Sequence, residues 1–75
     1  MKELIEIIAK ALVDHPEEVF VTQKEDARTI MLSLHVDQSD VGKVIGKQGK
    51  IAKAIRAVVK AAATKESKRV DVEIM

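Results

Sequence analysis

Two glycines bracket a lysine and a glutamine at Gly46-Lys47-Gln48-Gly49, within the longer run Val41-Gly42-Lys43-Val44-Ile45-Gly46-Lys47-Gln48-Gly49-Lys50-Ile51. Glycine has no Cβ, so the main chain at Gly46 and Gly49 can take positive φ and approach a bulky phosphate at little steric cost. Lys47 sets a mobile positive charge beside that exposed backbone, and Gln48 adds a polar side chain. The chemistry this tetrad supports is a grip on an anionic chain. No other segment carries so specific a signal.

The charge distribution points the same way. The net charge is only +1, but residues 1–40 hold four basic and nine acidic side chains, a balance of −5. Between Val41 and Lys65 there are seven basic residues (Lys43, Lys47, Lys50, Lys53, Arg56, Lys60, Lys65) and no acidic ones, a balance of +7. A basic stretch inside an otherwise acidic small protein is the footprint expected of a phosphate-backbone binder, with a solvated basic helix face as the plainer alternative.

Other chemistries fit poorly. A P-loop requires G-x-x-x-x-G-K-[ST]; here three residues separate Gly42 from Gly46, and Lys47 is followed by Gln48. Gly42, Gly46 and Gly49 do not satisfy G-x-G-x-x-G either. His15 in a turn and His35 on an outward strand position read as surface side chains rather than bases. The acidic residues fall mainly at helix starts, turns and exposed strand positions. No His or carboxylate cluster shows metal-ligand spacing. The expectation is a protein that is not an enzyme, with no catalytic residues, metal or cofactor.

The elements that must hold the tetrad follow from periodicity. Leu4, Ile5, Ile8, Ala11 and Leu12 recur at helical spacing, which predicts a helix over residues 2–14, stopped by Asp14-His15-Pro16. Residues 19–22 are β-prone, 24–27 read as a turn, and Ile30, Leu32, Leu34 and Val36 alternate as a strand. Asp37-Gln38-Ser39-Asp40 is rich in N-cap types and predicts a short helix to about Ile45. A helix over 50–63 follows the tetrad, with Ile51, Ile55, Val58, Val59 and Ala62 as its apolar face. Lys50, Lys53, Arg56 and Lys60 lie off that face. Val70, Val72 and Ile74 close the chain as a strand. A right-handed crossover through the helix pair places this strand parallel to one of the hairpin. The result is an α+β domain over residues 1–75 with the order α-β-β-α-α-β, three helices covering one face of a three-stranded mixed sheet.

With order and loop together, the chain resembles a KH domain of the type II arrangement. Val44-Ile45-Gly46-Lys47-Gln48-Gly49-Lys50-Ile51 is similar to the family's Ile-Gly-X-X-Gly-X-X-Ile core. The topology covers essentially the whole chain and the motif about a tenth of it. Being little more than one such domain, the chain looks like the small stand-alone bacterial KH proteins of the KhpA family. That resemblance implies a cytoplasmic protein that clamps single-stranded RNA through its GXXG loop and acts as a post-transcriptional regulator or RNA chaperone. It also implies a homodimer and a larger KH-containing partner of the KhpB (Jag-type) family as candidate partners.

The site it implies runs residue by residue. Gly46 and Gly49 permit close backbone approach, Lys47 and Gln48 face the sugar-phosphate chain, and Lys43, Lys50 and Lys53 flank it. Val41, Val44 and Ile45 offer apolar surface to bases, while Arg56 and Lys60 lie further along. Such a groove holds about four nucleotides. The rival reading is a module that uses the KH fold chiefly for dimerisation or for binding a partner protein.

Composition sets the remaining bounds. There are no cysteines, so disulfides and thiolate metal sites are excluded. No apolar run approaches the ~20 residues of a membrane span. Phe20 is the only aromatic among Phe, Tyr and Trp, which disfavours folds that read bases by aromatic stacking.

Overall fold

The computed structural model describes residues 2–64 and 67–74. Helix α1 (Lys2–Leu12) is followed by a 3₁₀ turn (Pro16–Glu18), strands β1 (Phe20–Glu25) and β2 (Thr29–His35), and a second 3₁₀ turn (Gln38–Asp40). Helix α2 (Val41–Ile45), a third 3₁₀ turn (Lys47–Gly49), helix α3 (Lys50–Ala63) and strand β3 (Arg69–Ile74) complete the chain. The element order is the one that periodicity predicts. Helix α1 ends two residues earlier than expected, because Asp14 and His15 turn away to meet Asp40.

The hairpin is closed by a side chain. The Asp26 carboxylate accepts the amides of Arg28 at 2.8 Å and Thr29 at 2.7 Å, and those bonds hold its carboxyl below the usual range. An aspartate folding back on its own turn supplies acceptors for backbone donors that the short connection would leave open. Strand β1 pairs antiparallel with β2, Phe20 opposite His35 and Glu25 opposite Ile30. Strand β3 lies on the other side of β2 and runs parallel to it, with Ile30 opposite Val70 and Leu32 opposite Val72. The parallel pairing requires the long crossover that α2 and α3 supply.

The core lies between this sheet and the helices. Ile30, Leu32, Leu34, Val70 and Val72 pack with Ile5 and Ala9 of α1, Val44 of α2, and Ile55, Val59 and Ala63 of α3. Each fully buried aliphatic side chain contributes about 1.5–3 kcal/mol relative to exposure. On the opposite face of the sheet, Phe20 stacks on His35 with ring centroids 4.3 Å apart and planes within 5°. Phe20 itself stays half exposed.

Helix α3 corrects one expectation. Its inward face is Ala52, Ile55, Val59 and Ala63, whereas Val58 is 45 % exposed and Ala62 is exposed. Small alanines at two of the four inward positions let the helix axis sit close to the sheet. Choosing the face that carries the largest apolar residues therefore rotates the helix the wrong way.

Candidate nucleic-acid interface

Helix α2 ends at Gly46, whose amide donates to Gly42 O at 2.9 Å and whose φ of 76° turns the chain out of the helix. The Gly49 amide then donates to Gly46 O at 3.2 Å, closing a tight turn. Gly49 sits in the left-handed region (φ 74°, ψ 16°) as the residue before α3. Gln48 also has positive φ, at 57°. Three of four consecutive residues thus occupy conformations that L side chains rarely adopt.

The two glycines are required for different reasons. A Cβ on Gly46 would stand 2.7 Å from Ile51 Cγ1, so the missing side chain leaves room for Ile51 and draws the loop against α3. At Gly49 nothing lies within 4 Å of where a Cβ would be, so this backbone is open on that side. Of the two, Gly49 is the one whose surroundings can admit a bulky group. Lys47 and Gln48 are exposed at the apex between them.

The flanking residues divide. Lys50 and Lys53 are exposed on α3. Beyond the first turn, the two flanks of that helix differ in character. Ile51, Ala54 and Val58, with Lys50, line a groove of about 320 Å³ against Ile8 and Leu12 of α1. On the opposite flank Arg56 Nε donates to Val72 O at 3.3 Å, and Lys60 lines a cleft of about 280 Å³ with Thr64, Lys68 and Arg69. Two cations of that cleft are already engaged, Lys68 with Glu25 at 2.8 Å and Arg69 with Asp71 at 3.7 Å.

Two α2 residues differ from expectation. Val44, assigned above as apolar surface for bases, has no exposed area and belongs to the core. Ile45 and Val41 are half-buried and keep some surface. The reason is the helical repeat: Asp40 and Val44 are four residues apart and share the inward face. Lys43 is bound to carboxylates, its ammonium contacting Asp14 and lying 3.6 Å from Asp40 Oδ1. The bond to Asp14, and then the Asp40 charge, push Lys43 above its ordinary range.

Asp40 is the functional-site feature that sequence reading missed. It is 1 % exposed and is the one buried polar side chain among the described residues. It precedes α2 but makes no side-chain cap there. Its carboxylate reaches instead across the fold, accepting the Asp14 amide at 3.3 Å, the His15 amide at 3.0 Å and His15 Nδ1 at 3.1 Å. Burial pushes its carboxyl up, but the bonds from the His15 ring and the two amides outweigh it and leave the group below the usual range. His15 is raised in turn, chiefly by its bond to Asp40 and further by Asp37. His15 is thus half exposed but is not an idle surface group.

His15, Asp37 and Asp40 bring ligand-type atoms within 4.8 Å of one another, a cluster that spacing along the chain did not suggest. Asp40 already accepts two amides and the imidazole, with the Lys43 ammonium 3.6 Å away, so a cation entering there would meet donors and a positive charge already in place.

A glycine-bracketed turn between a five-residue helix and a fourteen-residue one, packed on a mixed three-stranded sheet in the order α-β-β-α-α-β, defines a KH domain of type II topology. Residues 2–74 match the family model described as KhpA/KhpB, KH domain. The chain belongs to that family. It is 64 % identical to "RNA-binding protein KhpA" of Clostridium perfringens and 61 % identical to the protein of that name from Clostridium acetobutylicum, with the full length of both chains covered in each case. Identity to the Halalkalibacterium halodurans protein of the same name is 53 %, over all of this chain and 99 % of the other. No solved structure matches. Among the described residues, no helix is long and apolar enough to cross a membrane.

Proposed function

We propose that this protein binds single-stranded RNA, gripping the sugar-phosphate chain at Gly46-Lys47-Gln48-Gly49. The observation that carries this reading is the exposed loop itself, open at Gly49, with Lys47 at its apex and Lys50 and Lys53 beside it. The relatives named above as RNA-binding proteins support it, as does the absence of acidic residues from 41 to 65. Backbone amides and ammonium groups hold phosphates, and Val41 and Ile45 offer a limited apolar edge to bases. Lys43 contributes less than Lys47, because its charge is already shared with Asp14 and Asp40.

Few base-edge donors face such a groove, so sequence preference is loose and single-site affinity modest. This suits a cytoplasmic regulator of transcripts or an RNA chaperone rather than an enzyme. The family description groups KhpA with KhpB, which supports a larger KH-containing protein of the KhpB (Jag-type) family as partner.

A second reading, self-association, is favoured by a separate observation. Val58 is 45 % and Leu12 37 % exposed beside the apolar groove between α1 and α3. A homodimer covering that groove would tether two loops and raise affinity through effective concentration.

Fluorescence anisotropy with labelled single-stranded RNA tests the first reading, comparing wild type with Lys47→Asp/Gln48→Asp. Both glycines remain, so the backbone of the loop survives while its charge is reversed. The expected result is lost binding with unchanged circular dichroism and unchanged mass in solution. Unaltered binding would refute the clamp. Loss of the dimer without loss of RNA binding would assign the loop to self-association.

A further inference from the structure

We propose that Asp40 is the positioning residue of the loop, a carboxylate latch that pins the start of α2 to the turn after α1 and thereby fixes where Gly46 begins. This rests on the reading of the loop as the RNA clamp. Helix α2 is only five residues long, Val41 to Ile45, too short to hold its own orientation through helical cooperativity. Its C-terminal end is the loop, which is exposed at its apex. Its placement therefore rests on its other end, on Val44 and on the packing of Gly46 against Ile51 of α3.

That other end is tied by long-range bonds. Asp40 takes two amides and the imidazole from residues 25 or 26 positions away in sequence. Lys43 closes the arrangement from one turn further along α2, joining Asp40 and Asp14. Because Asp40 and Val44 share one face, the latch and the core contact fix both the tilt and the rotation of α2. Lys43 accordingly belongs to the latch first and to the RNA surface second.

The latch also titrates. The charged groups facing it are His15, Asp14 and Glu17 from the α1–β1 connection, Asp37 from the turn before α2, and Lys43 from α2 itself. Protonated His15 faces Asp40 and Asp37 together, and its pKa is raised. Its contribution is complete below the unfolded value of about 6.5 and is lost as pH rises through the higher folded value. Asp40 is shifted down, so its own contribution is lost only in acid, as pH falls through its depressed value. The latch is tightest in the mildly acidic window between these two limits and loosens towards alkaline pH.

Amide hydrogen exchange of the ligand-free protein, read beside RNA anisotropy at several salt concentrations, tests this with Asp40→Asn. The expected result is opening at Gly46 and Gly49 increased about fivefold, with Leu32 and Val72 unchanged, and RNA binding weakened by about the same factor. The salt dependence of binding stays as in wild type, because no phosphate contact is removed. In wild type the loop loses protection, corrected for intrinsic exchange, as pH rises through the His15 titration; in the variant it does not. Should Asp40→Asn not fold, His15→Gln removes the imidazole bond while leaving both amide bonds, and gives the same pattern at smaller amplitude. Equal opening of loop and sheet, or unchanged RNA affinity in a folded variant, would overturn the proposal. Were wild type to bind no RNA, the clamp reading would fail on that result, and exchange at Gly46 and Gly49 would still decide the latch.

Discussion

The two flanks of α3 start from the same four-residue loop and have different chemistry. Towards α1 the helix presents Ile51, Ala54 and Val58 over a shallow apolar groove. Away from it, Lys53, Arg56 and Lys60 are exposed, with Arg56 bonded to the carbonyl of Val72 and Lys60 lining a cleft beside the start of β3. A single helix thus offers one surface suited to another protein and one suited to phosphate. Nucleic-acid binding and self-association meet at Lys50, which lines the groove and stands beside the loop, and substitutions further along either flank should leave the other intact.

The largest effect expected is on the loop. Lys47→Asp/Gln48→Asp should weaken RNA binding by more than about tenfold at moderate salt, since a contact is lost and a repulsion added. Anisotropy measures it, and an unchanged solution mass would show that any self-association is untouched by the loop. Next comes Gly46→Ala, where the positive φ and the clash with Ile51 together should cost about 1–3 kcal/mol in denaturant unfolding. Gly49→Ala meets strain but no clash, and should cost less.

Val58→Asp puts a charge on the apolar flank. It should abolish any concentration-dependent increase in mass seen by light scattering, and should weaken RNA binding only through the loss of tethering. If binding by an isolated monomer fell as steeply as in the loop variant, the two flanks would not be independent. The smallest effect is expected at Lys60→Ala. At about 1.5 Å rise per residue it stands well away from Gly49, and the salt slope of binding should fall by less than one phosphate's worth.

Much of this was legible in the sequence because the signals are local. Alternation at Ile30, Leu32 and Leu34 marks a strand buried on one face, and the 3.6-residue repeat marks α1. Two glycines three apart mark a turn that other residues strain to make. The parts that were not legible depend on what lies across the fold. Nothing local tells that Asp40 forgoes a cap on α2 to meet His15, 25 residues earlier. Nor do side-chain sizes alone tell that Val44 turns inward while Ile45 keeps some surface, or that Ala52 and Ala63 rather than Val58 and Ala62 face the sheet. In each case a buried partner decides between faces that the sequence leaves nearly equivalent.

The parallel pairing of β2 with β3 has a kinetic consequence. Thr29 finds its partner in Arg69, roughly forty residues further along, and nothing shorter can complete that side of the sheet. A hairpin of β1 and β2 can form early, but Ile30, Leu32 and Leu34 gain their neighbours on β3 only after α2, the loop and α3 have been made. Pairing at such separation carries the entropy of closing a long segment before any contact repays it, which slows folding. During synthesis the glycine loop therefore emerges before the strand that completes the sheet beneath α3.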